Sequence, residues 1–160
     1  MDKYTTGLKI QEIKKMYKSE EIAGAVKLAR EIDWTKIKDW SSLAMMTDIY
    51  EKAGDYKNAR DMAILAYNRN LGGRKLVYRL GDLLIKSGDL DDAEDIYEEY
   101  CNMAKSSADR HLLRYHLLRA ENAPDEDLIE ALEEYTEDEV DETLRVLAEV
   151  LPMLRRYRRR

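Results

Sequence analysis

The sequence contains no phenylalanine, one cysteine, two histidines, two prolines and seven glycines in 160 residues. The single cysteine, Cys101, excludes an internal disulfide, and one cysteine with two histidines does not supply the ligands of a structural zinc site. Scarce proline and glycine, together with 38% charged residues, favour long helices with solvated outer faces over sheets. We therefore expect an all-α protein with no structural metal and no cofactor.

Long apolar runs are also missing, since no stretch approaches the roughly 20 residues that a membrane-spanning helix requires. Residues 1–15 lack the apolar run and small-residue cleavage site of a secretory signal. Hydrophobic residues nevertheless make up 44% of the chain, and a domain of this length buries roughly two thirds of its unfolded surface. The sequence predicts a cytoplasmic chain without membrane association, forming one domain over residues 1–160.

Charge is negative overall and unevenly distributed. A formal net charge of -6 disfavours nucleic-acid binding, because the phosphate backbone selects a positive face. Residues 125–142 hold eleven aspartates or glutamates, whereas residues 155–160 include five arginines, and all thirteen lysines lie at or before Lys105. The last feature indicates a compositional boundary near that residue.

A 34-residue period organises the first two thirds of the chain. Gly54-Asp55 returns 34 residues later as Gly88-Asp89, and each pair follows an apolar stripe with helical spacing. Glycine after a helix end adopts the left-handed conformation cheaply, and Asp55 is suited to cap the next helix. Alanine also recurs at this period, where two packed helices need a small residue to cross closely. The three alanines are Ala25, Ala59 and Ala93.

These residues resemble the tetratricopeptide repeat, a 34-residue helical hairpin with conserved small and aromatic positions. The third hairpin carries the resemblance through Val77, Leu80, Gly81, Leu84, Ala93 and Tyr97. The second hairpin carries it through Leu43, Met46, Tyr50, Tyr56, Ala59 and Ala66, with Thr47 in place of the usual glycine. The resemblance implies a right-handed α-solenoid of about four antiparallel hairpins plus a C-terminal capping helix.

Stop and start signals place the elements along the chain. The first hairpin is expected to begin with a helix near residues 7–18, capped by Thr5 or Thr6. In the fourth, Asp127 occupies the alanine position, so the turn at residues 123–125 is expected to shift the register. Thr136 with Glu139 predicts a new helix start, and Pro152 an end or kink near Leu151. The predicted hairpins cover about 6–33, 40–69, 74–104 and 107–135, followed by a helix at about 137–155.

In proteins with this repeat, the first helix of each hairpin lines a concave groove that holds peptides or partner helices. The residues at the equivalent positions of each repeat in this sequence predict the groove. They are Lys14, Tyr17, Asp48, Glu51, Lys75, Tyr78, Arg79, Asp82, His116 and Arg119. Tyr78 and Arg79 are the expected anchors, since tyrosine and arginine dominate many interfaces. The asparagines with which many relatives grip a C-terminal carboxylate are absent, which argues against tail binding.

Other motifs favour structural roles. Leu71-Gly72-Gly73-Arg74-Lys75 has glycines and cations but neither a preceding strand nor phosphate-loop spacing. Cys101 with His111 and His116 does not predict a catalytic or metal site, because the histidines lie about 140° apart around a helix. The arginine tail complements the helix dipole and the acidic segment before it.

The sequence thus predicts a protein-protein interaction scaffold that binds a protein or peptide partner and is not an enzyme. Three alternatives stay open: a self-associating structural module that forms a homo-oligomer, the N-terminal fragment of a longer array, and an engineered repeat protein with a redesigned C-terminal cap.

Overall fold

The computed structural model describes residues 2–69 and 73–158, and in the last helix it describes the side chains of residues 125–142, 144, 148 and 152. Over these residues the chain has eight α-helices, one short 3₁₀ helix at Trp34–Lys36 and no strand. The helices are α1 (Lys3–Lys18), α2 (Ile22–Ala29), α3 (Trp40–Lys52), α4 (Tyr56–Arg69), α5 (Arg74–Lys86), α6 (Leu90–Met103), α7 (Asp109–Ala120) and α8 (Asp125–Arg158). The predicted all-α class is confirmed.

The chain forms two compact units, residues 1–96 and 97–160. In the first unit, α1 packs against α2, α2 against α3, α3 against α4, and α4 against α5. In the second unit, α7 packs against α8. Antiparallel neighbours joined by short turns are the arrangement expected of a helical-hairpin array.

The turns between the two helices of each hairpin repeat with one geometry. Their left-handed residues are Glu20, Gly54, Gly88 and Asn122, with φ of 59°, 75°, 84° and 58°. Each donates its N-H to the carbonyl three residues back, and the next residue donates to the carbonyl five residues back, at 2.8 to 3.2 Å. This bond pair is the Schellman motif, which satisfies the last carbonyls of a helix. The left-handed residues of the four turns are 34 residues apart, so the turn of the fourth hairpin keeps the spacing of the other three.

Glu20 is the least suitable residue in this series, because its side chain makes the left-handed conformation costly. Replacing Glu20 by glycine is expected to raise the free energy of unfolding by about 0.5–1 kcal/mol, the gain from relieved strain being partly offset by unfolded-state entropy. Chemical denaturation followed by circular dichroism measures the change. Glu21→Gly, one residue on at φ -83°, is the matched control, and equal or greater stabilisation there would contradict the interpretation.

The recurring alanines occupy the core as the sequence predicts. Ala25 and Ala59 are fully buried, and Ala93 is 1% exposed. In the fourth hairpin, Asp127 is only partly buried, and Ala131, one helical turn further on, is fully buried. The turn therefore keeps its register while the small buried residue is displaced by four positions.

Side-chain caps mark the starts of α1, α3 and α4, and the cap of α1 differs from the prediction. Asp55 caps α4 as expected by accepting the Asn58 N-H at 3.2 Å. The first helix starts earlier than predicted, because Asp2, rather than Thr5 or Thr6, is its N-cap. The Asp2 carboxylate accepts the Thr5 N-H at 2.7 Å, so Thr5 lies inside α1.

The predicted separate helix from about residue 137 is wrong, because α8 is continuous from Asp125 to Arg158. Thr136 donates its hydroxyl to the Leu132 carbonyl at 2.9 Å, which is a mid-helix bond rather than a cap. A Thr-x-x-Glu pattern caps a helix only where the preceding backbone is non-helical, and residues 125–151 contain no glycine or proline. Pro152 lies within α8 and does not end it. Leu71, Gly72, Arg159 and Arg160 lie outside the described residues.

Candidate interaction site

Five of the predicted groove residues meet on one face of the first unit. They come from the first helices of three successive hairpins: Tyr17 from α1, Asp48 and Glu51 from α3, and Arg79 and Asp82 from α5. We call this surface the three-helix face and include in it Lys52 and Lys86, which pair with these residues. On this face Tyr17 is linked to Asp48 and Asp48 to Arg79, and each pair is 31 residues apart in the sequence.

Asp48 is the central acceptor of the three-helix face. Its carboxylate accepts hydrogen bonds from the Tyr17 hydroxyl and from Arg79 Nη2 at 3.1 Å, and it lies 3.4 Å from Lys52 Nζ. Burial by itself raises the pKa of Asp48, but these hydrogen bonds and positive charges outweigh it, and the pKa lies below its ordinary value. The hydrogen bond that Tyr17 donates to Asp48 raises the pKa of Tyr17, because it stabilises the neutral phenol, and burial and the negative charge of Asp48 add to the rise.

Glu51 is the second acceptor and connects two cations of α5. Arg79 Nη2 lies 3.2 Å from one Glu51 oxygen, and Lys86 Nζ lies 3.3 Å from the other. Lys86 also pairs with Asp82 at 3.0 Å. Burial lowers the pKa of Lys86, but the two carboxylates outweigh this effect and raise it above its ordinary value.

Two aromatic rings complete the face. The Lys52 ammonium lies 4.9 Å from the centre of the Tyr17 ring, and the Lys86 ammonium lies 5.6 Å from the centre of the Tyr56 ring. Both distances fit cation-π contact. The three cations thus balance the three acids Asp48, Glu51 and Asp82, and the face is an ordered, electrically neutral polar surface.

The other predicted groove residues lie in both units. Lys14 and Lys75 are exposed, and Tyr78 is half-buried beside Arg79 in the sequence. His116 and Arg119 belong to the second unit, where the His116 ring stands edge-on to Tyr115 at 5.4 Å.

Sequence reasoning missed Lys52, Lys86 and Tyr56 as members of the face. The two lysines carry a readable signal, because each follows an aspartate of the predicted groove by four residues, the spacing of an ion pair on one helix surface. Tyr56 offers no such signal, since its place in the repeat motif does not indicate that its ring, which is 39% exposed, contacts Lys86.

In the second unit, His111 joins α7 to α8 through carboxylates. Its Nε2 lies 2.8 Å from an Asp138 oxygen, and its Nδ1 lies 3.2 Å from a Glu134 oxygen. Arg110 and Arg114 pair with the same two acids at 3.4 and 3.3 Å. These contacts give His111 a helix-packing role.

Cys101 is half-buried and lies beside Tyr97. Burial raises the pKa of the Tyr97 hydroxyl, and a hydrogen bond with Cys101 adds to the rise. Over the described stretches, no group of three or more His, Cys, Asp or Glu side chains is arranged to hold a metal ion.

A cleft of about 750 Å³ lies beside the N-terminal half of α1, in the first unit. Ile10 and Ile37 supply apolar surface, and Gly7 leaves open space. The lining also includes Lys3, Thr6, Glu31, Asp33, Lys36, Lys38 and Asp39. Asp33 and Asp39 accept hydrogen bonds from Thr35 and Ser41, so both acids serve as local caps.

Comparison with known proteins supports the fold. No family model matches the chain, and no curated protein sequence matches it. Among solved structures, the crystal structure of MamA protein, a tetratricopeptide-repeat protein, is similar with a TM-score of 0.66. The match covers 84% of this chain and 73% of the MamA chain at 13% sequence identity. The chain therefore has a tetratricopeptide-like helical fold, and the hand of the array stays a prediction.

Over the described residues, no helix is both long enough and apolar enough to pass through a bilayer.

Proposed function

We propose that the chain is a protein-interaction scaffold whose three-helix face binds an extended peptide or a partner helix without catalysis. The observation that carries the proposal is the continuous set of contacts from Tyr17 through Asp48 to Arg79, which joins three successive first helices. Helical-hairpin arrays present such faces as extended binding surfaces. The similarity to a tetratricopeptide-repeat protein supports the same class of function.

The charge arrangement favours a partner of mixed charge. Arg79 is held by Asp48 and Glu51, so a partner's C-terminal carboxylate would have to compete with two carboxylates already in place. A peptide carrying both signs can instead exchange ion pairs with the neutral face at little net cost, since half-exposed ion pairs contribute only about 0–1 kcal/mol each. Arg79 therefore orders the face, and Tyr78, its half-buried neighbour in the sequence, is the other predicted anchor and the one that we propose to test.

Selection from a displayed peptide library, followed by affinity measurement, tests this function. Tyr78→Ala is expected to weaken binding of the selected peptides by about tenfold or more, because truncating an aromatic hot-spot residue costs about 2 kcal/mol or more. The matched control is Tyr4→Ala, which removes an aromatic ring that is 76% exposed. Circular dichroism verifies that both variants stay folded, and equal affinity of the peptides for both would contradict the assignment.

A further inference from the structure

The last helix, α8, exposes a stripe of large apolar side chains. Ile129, Leu132, Val140 and Leu144 are 55%, 38%, 50% and 59% exposed. At about 100° per residue these positions fall on one side of the helix, together with the exposed Thr136. Ala131, which is fully buried, projects from the opposite side, where Glu134 and Asp138 contact α7. We call the exposed side the α8 stripe.

The sequence places further leucines at helical spacing towards the C-terminus of α8. Leu147, Leu151 and Leu154 have the same helical phase, and the backbone of α8 extends to Arg158. Residues 129–154 therefore span about 38 Å at 1.5 Å per residue. Single exposed apolar residues are ordinary on protein surfaces, whereas a contiguous row marks an interaction surface.

Charge along α8 separates into two halves of opposite sign. Residues 125–142 contain eleven acidic residues and no lysine or arginine, whereas residues 143–158 contain four arginines and one acidic residue, Glu149. A parallel pair of these helices would place like charges together. An antiparallel pair places the acidic half of each helix along the arginine-rich half of the other, which is the charge complementarity that fixes orientation in helix pairs.

The apolar positions have the same antiparallel symmetry. A two-fold axis between residues 141 and 142 places residue 129 opposite 154, residue 132 opposite 151, and residue 136 opposite 147. Val140 and Leu144 lie on either side of this axis. The surface is thus complementary to itself, which is the requirement for an isologous two-fold interface.

We propose that the α8 stripe binds a second copy of this chain, with the two α8 helices antiparallel and their centres near residues 141 and 142. This interface is separate from the three-helix face and does not depend on the function proposed for it. In this dimer, the α8 stripe of one copy, which includes Ile129, Leu132, Val140 and Leu144, packs against the α8 stripe of the other copy. The acidic half of each helix then lies along the arginine-rich half of its partner.

Sedimentation analysis over a range of protein concentrations tests the association. The wild-type mass is expected to rise towards twice the 18.7 kDa of one chain. The double variant Val140→Glu/Leu144→Glu is expected to raise the dimer dissociation constant by about a hundredfold, because it puts four unpaired carboxylates at the centre of the interface. Both positions are at least half exposed, so the variant is expected to fold, and circular dichroism checks this.

Leu8→Glu, on α1 and 49% exposed, is the matched control and is expected to leave the association unchanged. A wild-type chain that stays monomeric at every concentration overturns the proposal and assigns the stripe to another occupant. Equal association of Val140→Glu/Leu144→Glu and the wild type overturns it as well.

Thiol cross-linking tests the antiparallel arrangement. In a Cys101→Ala background, the variants Thr136→Cys and Leu147→Cys are mixed and treated with a short bis-maleimide reagent. The mixture is expected to give a cross-linked dimer that contains one chain of each variant. A single variant is expected to give no cross-linked dimer, because the thiols of its two copies lie about 16 Å apart along the helix pair. Cross-linking of Thr136→Cys with itself, or none in the mixture, overturns the arrangement.

Discussion

Replacing Leu43 by alanine is expected to lower the free energy of unfolding by about 3–4 kcal/mol. Leu43 is fully buried in α3, which packs against both α2 and α4, so the lost carbons leave a cavity that neighbouring helices cannot easily close. Leucine-to-alanine changes at such sites cost about 2–5 kcal/mol, and the larger values occur where the site cannot collapse. Urea denaturation followed by circular dichroism measures the change.

Leu8→Ala is the control for this prediction, because it removes the same carbons from a position on α1 that is 49% exposed. We expect it to change the free energy of unfolding by less than about 1 kcal/mol, since little buried surface is lost. Similar effects of the two substitutions would mean that Leu43 is not enclosed between helices and would contradict the packing described for α3.

Some elements of the fold are predictable because the close crossing of two helices restricts the size of one residue, and this restriction recurs in each repeat. Ala25, Ala59 and Ala93 are small because helices cross closely there, and a larger side chain would separate the helix axes. The turns were predictable only in part. Gly54 and Gly88 indicate a left-handed conformation, but Glu20 and Asn122 adopt it as well. In all four turns the same two backbone hydrogen bonds to the preceding helix stabilise this conformation.

The course of α8 was not predictable from the local signals used. Thr136 and Glu139 have the spacing of a capping box, but a cap forms only where the backbone leaves the helix. The surrounding residues 125–151 favour helix throughout, since they include many glutamates and leucines and no glycine or proline. The helix propensity of residues 125–151 therefore outweighs the capping-box pattern of Thr136 and Glu139.

The candidate site could also be predicted only in part from the sequence, for a different reason. Transfer by repeat phase selected ten residues, and five of them meet on the three-helix face, because each first helix of the first unit repeats the same orientation. It does not identify pairing, since the contacts from Tyr17 to Asp48 and from Asp48 to Arg79 step by 31 residues rather than by the 34 of the repeat. That step is one helical turn shorter than the repeat, because long side chains reach along the neighbouring helix to a hydrogen-bond or ion-pair partner.

Replacing Ala59 by leucine is expected to lower the free energy of unfolding by about 3 kcal/mol, by overpacking rather than by a cavity. Ala59 is fully buried in α4, which packs against α3 on one side and α5 on the other. The added carbons have no space at normal packing density, so they force the helices apart or the side chain off its preferred rotamer. Thermal and chemical denaturation followed by circular dichroism measure the loss.

Ala23→Leu separates overpacking from helix propensity, because Ala23 is exposed in α2 and leucine is a good helix former. We expect this control to change the free energy of unfolding by less than about 0.5 kcal/mol. If Ala59→Leu is tolerated as well as Ala23→Leu, α4 does not approach its neighbours closely at Ala59. The geometric reason given for alanine at residues 25, 59 and 93 would then be wrong, even though the 34-residue period itself would stand.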